Sequence, residues 1–219
     1  MNRAHRLRGP GGERVVIVGG ILGLEADAEI LQSEFDRERP NSVLLGVPYE
    51  DLDAVRATKG KEAETEFAST DMDEAYLLRL SEFGLVKSPP PDLYRAYELA
   101  ERFHLAVEAI DLGDEAFTER YTHHVGMLEV LRSNRNQRKL VAREFEVHSA
   151  EDFALQWDDA MFPTKGLQKV QEDREAHMVD RIQTLSRNAG LHLALLPLPR
   201  AIGVFDKLRD AGWRAESAP

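Results

Sequence analysis

The chain has 219 residues, of which 42% are hydrophobic and 31% are charged, and this is the composition of an ordinary soluble globular protein with ample material for a core. Its net charge of −11 argues against nucleic acid or an anionic membrane as the main partner, because both are bound by a basic face. The absence of cysteine excludes disulfides and thiolate metal sites, and no apolar run reaches the roughly 18 residues that span a bilayer.

The two ends of the chain differ in character from its centre. Residues 1–13 are basic but lack the apolar core of a signal peptide, so we expect a disordered tail and a cytoplasmic protein. Residues 213–219 are expected to form a second tail. Residues 14–212 are predicted to form a single α/β domain, because apolar strand-like runs alternate with helical patterns over this range.

A buried strand, a glycine turn and a helix open this domain. The run Val15–Val18 is apolar on both faces, which predicts a central strand covered by helices. Residues 25–37 are predicted to be helical, and residues 42–47 form a second apolar run typical of a buried strand. Strand, helix and strand within about 35 residues make a βαβ unit, so we expect these strands to be parallel.

The rest of the chain alternates helical patterns with two further apolar runs. A third strand, "LAVEAID", is predicted to end at Asp111, and a fourth is "LHLALLPL". Residues 57–70 are predicted to be an exposed loop, and residues 140–149 fit a strand or a helix equally well. Helices are predicted over residues 50–56, 71–83, 93–103, 115–138, 150–159, 165–188 and 201–211.

The turn after the first strand is rich in glycine but has no lysine, serine, histidine or carboxylate that could bind a ligand. Gly20 and Gly23 match two of the three glycines of the G-x-G-x-x-G dinucleotide fingerprint, but Val18 stands at the first position. The acid expected at the tip of the second strand is also missing, although Glu50 and Asp51 follow a few residues later. No Gly-Lys-Ser/Thr follows the strand, which excludes a phosphate P-loop. Dinucleotide binding is therefore a minor alternative.

Five segments, in this order, are typical of a known family: "VVIVGGIL", "RPNSVLLGV", "DLYRAYELAERFHLAVEAID" with "FTER", "EDREAHM" and "LALLPLPRAIGVFDKL". Together they resemble the TraB/PrgY family, part of a superfamily with the Tiki metalloproteases and the erythromycin-esterase-like and ChaN-like proteins. The resemblance covers roughly residues 14 to 212. It implies a TraB/Tiki-like α/β fold in which helices flank a central, largely parallel sheet. It also implies that the turns 19–23 and 197–203 meet at one edge of that sheet.

The chain differs from the family's motifs at the positions of the family's metal-binding and catalytic residues. In the family, two histidines and a glutamate look like the metal-binding and catalytic set. Here Leu22 and Arg200 stand at the histidine positions, and Gly46 stands at the glutamate position. Leucine and glycine cannot bind a metal, and the fixed positive charge of an arginine would repel a cation. The resemblance therefore implies an active-site turn that has lost its catalytic groups.

Arg174 is predicted to be buried, because it lies within the apolar stripe of the helix 165–188. A buried arginine needs a carboxylate or several carbonyl partners, and Asp111 at the end of the third strand is the expected partner. The pair is interpreted either as a structural ion pair or, together with Arg200, as a clamp for an anion. The paired histidines His123 and His124 are expected to lie on a solvated helix face.

These features predict a non-catalytic TraB-like domain, without metal or cofactor, that binds a small anion, a peptide or a partner protein. The first alternative is a metal-dependent hydrolase or peptidase that has recruited Glu50, Asp51 or Asp111, and the second is a nucleotide-binding module. The residues predicted to line the vestigial, anion-binding cleft are Gly19, Gly20, Leu22, Gly46, Asp111, Arg174, Arg200 and Gly203.

Overall fold

Strands and helices alternate along the chain in the computed structural model, which describes residues 3–60, 70–187 and 190–217. The described strands are β1 (Ala4–Arg8), β2 (Arg14–Gly20), β3 (Ser42–Leu45), β4 (Ala106–Ala109), β5 (Leu191–Pro197) and β6 (Arg214–Glu216). The described helices are α1 (Ala26–Glu38), α2 (Tyr49–Thr58), α3 (Asp71–Leu80), α4 (Pro91–Arg102), α5 (Asp114–His124), α6 (Met127–Leu140), α7 (Ala150–Met161), α8 (Lys165–Leu185) and α9 (Leu198–Asp210).

The strands form one mixed sheet in the order β4-β3-β5-β2-β1-β6. The four neighbours from β4 to β2 are parallel, whereas β1 pairs antiparallel with both β2 and β6. The four strands predicted from the sequence are these parallel ones, so the α/β class and the parallel centre of the sheet are confirmed. The strands β1 and β6 make the complete sheet mixed.

Strand β5 lies between the two strands of the first βαβ unit. Although β2 and β3 are parallel to each other, each pairs with β5 rather than with its sequence neighbour. Strand β5 therefore has a hydrogen-bonded neighbour on each side, and helices cover both of its faces. The covered faces account for its continuous apolar sequence. As a result, the late segment "HLALLP" lies directly beside the early segment "VVIVGG".

Helices cover both faces of the sheet and the carboxyl ends of its central strands. Helices α1 and α4 pack on one face, and α8 and α9 pack on the other. A third apolar cluster lies at the carboxyl ends of β2 and β5, where Ile21 and Leu198 follow these strands. Residues of α3 and α7 complete this cluster, and they include Leu80, Phe153 and Trp157. Helices α3 and α7 therefore form a cap over the strand ends.

Several predicted helix boundaries are wrong. The helix predicted over residues 115–138 is broken at Gly126, because α5 ends at His124 and α6 begins at Met127. The ambiguous residues 140–149 contain no strand in this described part of the chain. The predicted loop 57–70 lies mostly outside the described residues, as does the end of the helix predicted to reach residue 188. No described helix is both long and apolar enough to cross a membrane.

Both predicted tails contain strands. Residues 4–8 form β1, where Leu7 is buried and the basic side chain of Arg6 bonds to Glu34 and Glu38 of α1 at 2.6 Å each. Residues 214–216 form β6 at the edge beside β1. The N-terminal tail prediction is wrong because the acids that neutralise Arg3 and Arg6 lie on α1, 24 or more residues further along the chain, so the local sequence showed only unpaired charge. The C-terminal tail prediction is wrong because β6 forms only by pairing with β1.

We expect Leu7→Ala to destabilise the fold by roughly 2–5 kcal/mol, because the side chain is almost completely buried against both sheet and helix residues. Arg8→Ala on the same strand is the matched control, since its half-exposed ion pair with Glu216 should contribute at most about 1 kcal/mol. Urea denaturation measures both changes. Equal stability of the Leu7→Ala variant and the wild type would contradict the placement of β1 in the core.

Candidate functional site

The two turns predicted to meet lie side by side at the carboxyl ends of the central strands. In the register of β2 and β5, Gly20 is opposite Pro197, and the Gly46 N–H donates to the Leu195 carbonyl at 2.8 Å. The ends of β2, β3 and β5 therefore converge at one edge, where ligands of open α/β sheets commonly bind. The predicted adjacency of the two turns at one edge of the sheet is therefore confirmed.

The glycines at this edge are in close contact with their neighbours. A Cβ atom at Gly46 would lie 2.7 Å from Leu196 Cδ2 and 3.1 Å from Pro197 Cδ, and one at Gly20 would collide with the carboxylate of Asp92. Larger side chains at Gly20 and Gly46 cannot fit unless these neighbours shift. The space that a catalytic side chain at Gly46 would need is thus occupied by the protein itself.

The glycine turn is held by contacts within the protein. The Ile21 N–H donates to Asp27 at 2.5 Å, and the same carboxylate accepts two hydrogen bonds of 2.8 Å from the Arg3 guanidinium. Gly23 has a φ of 87°, a backbone conformation that residues other than glycine rarely adopt. The Ile21 N–H is therefore already satisfied, and the turn's glycines serve its close packing and its backbone path.

Arg200 is not available in the cleft as predicted, because it is buried between two acids. Its guanidinium pairs with Asp158 of α7 and with Glu175 of α8, the latter at 2.7 Å. Glu175 can approach α9 because Gly203 has no side chain in its way. Both carboxylates reach Arg200 only through the packing of three helices. An incoming anion would have to compete with two carboxylates for this one cation.

Arg174 bonds to Asp111, as predicted. Its Nη2 lies 2.5 Å from an Asp111 oxygen, its Nε lies 3.2 Å from both oxygens, and its Nη1 donates to Gln171 at 2.7 Å. The Arg174 side chain remains 22% exposed, whereas Asp111 is almost completely buried. This geometry favours the structural interpretation, in which the pair fixes α8 against the end of β4.

We expect Arg174→Leu to cost about 3 kcal/mol, because it leaves the buried Asp111 carboxylate without its cation. Arg181→Leu is the matched control on the same helix, since its pair with Glu108 is 3.6 Å long and exposed. That change should cost less than about 1 kcal/mol. Thermal or urea unfolding of both variants measures the difference. Equal costs would mean that the buried pair does not stabilise the fold.

Asp92 is the residue that sequence reasoning missed. It lies in the first turn of α4 against Gly20, is 6% exposed, and accepts the Leu93 N–H at 2.9 Å. Burial, reinforced by the negative charge of Asp27, raises the pKa of Asp92 to about 7. No local signal marks this carboxylate, because an acid near a helix start is ordinary and its burial depends on how α4 packs on the glycine turn. It borders a cavity of about 60 Å³ at the strand ends.

We expect Asp92→Asn to change how stability depends on pH. The folded-state pKa of about 7 lies above the unfolded value near 3.8, so the wild type loses stability as pH rises through this window. The asparagine variant lacks this loss, and its stability relative to the wild type should rise by roughly 2–3 kcal/mol between about pH 5 and about pH 8. Asp53→Asn is the solvent-exposed control. Parallel urea midpoints for Asp92→Asn and the wild type across this range would contradict the expectation.

An apolar cavity of about 340 Å³ lies beside the convergent strand ends, and its volume is within the range of small-molecule sites. A second cavity, of about 450 Å³, lies between α2, β4 and α8. The walls of the apolar cavity come from the glycine turn, the end of β3, α2, α3, the 87–90 segment and α4. Leu22 is 56% exposed and borders this cavity together with two smaller ones of about 250 and 60 Å³. The position to which the TraB/PrgY resemblance assigns a histidine is therefore an exposed leucine that borders three cavities.

Few polar groups line the apolar cavity, and most of them already bond to other residues of the protein. Lys87 pairs with Glu25, and the Tyr94 hydroxyl lies 2.5 Å from the Thr58 hydroxyl. Asp51 has no cationic partner within the described ranges 3–60, 70–187 and 190–217. Burial and the nearby acids Asp114, Glu50 and Asp111 raise the pKa of Asp51. The unpaired carboxylate gives this apolar cavity a preference for positive charge.

The acids proposed for a relocated metal site, Glu50, Asp51 and Asp111, lie close enough together for their charges to raise the pKa of Asp51, but two of them already bond to other residues. Glu50 Oε1 accepts the Asp114 N–H at 3.1 Å, whereas Glu50 Oε2 is buried without a hydrogen-bond partner among the described residues. Asp111 bonds to Arg174. His124 Nε2 lies 2.9 Å from an Asp173 oxygen. Among the described residues, no group of three or more histidine or acidic side chains has the arrangement of a metal site.

Comparison with known proteins gives this chain no relative by sequence. No protein-family model matches it, and no curated protein matches it. The TraB/PrgY resemblance therefore depends on the order of its five motifs. The adjacency of the two turns is compatible with that resemblance, but fold geometry of this kind does not define a function.

Proposed function

We propose that this chain is a non-catalytic, TraB-like binding protein whose ligand carries an apolar body and a cationic group. The observation that carries the proposal is the cavity of about 340 Å³ at the strand ends, whose lining is mostly apolar and includes the exposed, unpaired Asp51 carboxylate. Such a combination provides burial for an apolar group and an anchor for an amine or guanidinium. A basic peptide segment and a small organic amine share this chemistry.

The choice of a cationic rather than an anionic ligand follows from where the charges lie. Both arginines expected to clamp an anion already bond to carboxylates, and Lys87 beside the cavity pairs with Glu25. The net charge of −11 also attracts a cation over longer distances. Of the three ligand classes inferred from the sequence, a peptide or a protein segment with a basic residue therefore fits better than a small anion.

The non-catalytic part of the proposal is supported by the replaced positions and by their packing. Leu22, Gly46 and Arg200 supply no ligand for a metal, and a water-activating site needs about three protein ligands with one open position. The close contacts around Gly46 also leave no room for a carboxylate to return by a simple substitution. Binding is the function that this edge of the sheet retains.

We expect phenylbutylammonium to bind and phenylbutyrate, which has nearly the same shape but the opposite charge, to bind more weakly. Ala54→Trp should abolish binding because Ala54 lines the cavity, whereas Ala57→Trp should not, because Ala57 is likewise exposed on α2 but does not line the cavity. Asp51→Asn should weaken binding of the ammonium probe by roughly twofold to fivefold and bring the two probes closer together. Isothermal titration measures each affinity.

Three results would overturn the proposal. Tighter binding of phenylbutyrate, or binding that survives Ala54→Trp, would show that the cavity does not select a cationic amphipathic ligand. A stoichiometric divalent metal in the cleft, detected by titration with manganese, cobalt or zinc and required for hydrolytic turnover, would show that the protein is an enzyme.

A further inference from the structure

Helix α6 exposes two kinds of side chain on its outer surface. Its apolar side chains are between 62% and 82% exposed, and they are Met127, Leu128 and Leu131. Its basic side chains are also exposed and form no ion pair anywhere in the described residues, and they are Arg132, Arg135, Arg138 and Lys139. In an acidic protein, this helix is a local concentration of unpaired positive charge beside exposed apolar groups.

The arrangement of these residues on α6 makes one outer face. Leu128, Leu131 and Arg135 follow each other at spacings of three and four residues, so they share a side of the helix. Ser133 and Leu140 are buried on the opposite side, where α6 packs against α7. We call the outer side the basic face. Apolar residues gathered beside charged ones are typical of a surface that binds another macromolecule.

Helix α3 and the turn after it expose the complementary chemistry. Leu78 and Leu85 are 70% and 74% exposed. Around them, Asp71, Glu74 and Glu82 are exposed and pair with no cation within the described ranges. Asp71, Glu74 and Leu78 lie at helical spacing, so they share a side of α3, and we call this surface the acidic face. Both faces lie on helices that pack against α7.

We propose that the basic face of α6 docks on the acidic face of α3 in a second copy of this chain. Both faces expose leucines, which can pack against each other. The two faces carry unpaired charges of opposite sign, so the arginines of one can pair with the carboxylates of the other. Reciprocal contacts, α6 on α3 and α3 on α6, close the assembly as a twofold dimer. The dimer uses surfaces outside the ligand cavity, so it does not depend on the proposed function.

A second copy fits better than an anionic membrane. A bilayer surface would attract the four cations of α6, but it would repel a chain with a net charge of −11. Only three apolar side chains are available for insertion, and they occupy one end of the helix. The membrane also leaves the acidic face of α3 unexplained, whereas a second copy uses both faces.

Charge reversal on each face, followed by mixing, tests this dimer. We expect sedimentation equilibrium of the wild type to show a monomer–dimer equilibrium that weakens with added salt. Two double variants are made. The first carries Arg135→Glu and Arg138→Glu, and the second carries Glu74→Arg and Glu82→Arg. Each should weaken self-association at least tenfold. Mixing the two variants should restore association, because each chain then meets a face of the opposite charge. All four residues are exposed or solvent-accessible, so circular dichroism and thermal midpoints should match the wild type.

Three results would overturn the proposal. The first is a wild type that stays monomeric at all accessible concentrations. The second is a dimer that is unaffected by either charge reversal, or whose loss is not repaired by mixing the variants. The third is a monomer that co-sediments with phosphatidylserine vesicles and loses this binding on Leu131→Glu, which would assign the basic face to a membrane. Binding of phenylbutylammonium to the monomeric variants would separate failure of the dimer from failure of the ligand site.

Discussion

The parallel pairing of β2 with β5 is the contact on which the rest of the structure depends. Seven consecutive residues of each strand are in register, from Arg14 beside Leu191 to Gly20 beside Pro197. This pairing brings an early turn and a late turn of the chain to the same edge of the sheet. It also places α9 directly over β2, where Gly19 allows Leu198 to approach closely. The cleft, its packed glycines and the cavity beside it all follow from this register.

Buried ion pairs connect the helices to this sheet. Arg3 and Arg6 tie β1 to the acids of α1, Arg174 ties α8 to the end of β4, and Arg200 joins α7, α8 and α9. Each guanidinium is satisfied by at least one carboxylate at 2.8 Å or less, so burial of the charge is compensated. The same pairing removes these arginines from ligand binding. Because these four arginines are occupied by carboxylates, none of them neutralises Asp51, which stays unpaired beside the cavity.

Local sequence patterns predicted the features that depend on local sequence. The apolar runs at Val15–Val18 and Leu193–Leu196 marked the strands, and the position of Arg174 within an apolar helical stripe marked its pair with Asp111. Features that depend on distant packing were missed. Strand β1 looked like a basic tail because its neutralising acids lie on α1, and Asp92 looked ordinary because only the approach of α4 to Gly20 buries it.

The same limit explains the outcome for Arg200. Its position after the last strand suggested a cation facing the cleft, and nothing within the neighbouring sequence indicated otherwise. Its partners Asp158 and Glu175 come from two other helices, and they reach it only after α7, α8 and α9 have packed. The charge of a side chain can be read from sequence, but whether that charge is available to a ligand depends on tertiary partners.

Leu22 connects the departure from the TraB/PrgY motifs to the proposed binding function. Replacement of a metal-binding histidine by any inert residue would end catalysis, but a leucine also adds apolar surface at the point where three cavities meet. Exposure of 56% of such a side chain is unfavourable in the free protein, and a bound apolar group would remove much of that surface from water. In the proposed function, the unpaired Asp51 carboxylate selects among apolar ligands for those that carry a cationic group. The same leucine that departs from the TraB/PrgY motif would thus supply part of the proposed binding surface.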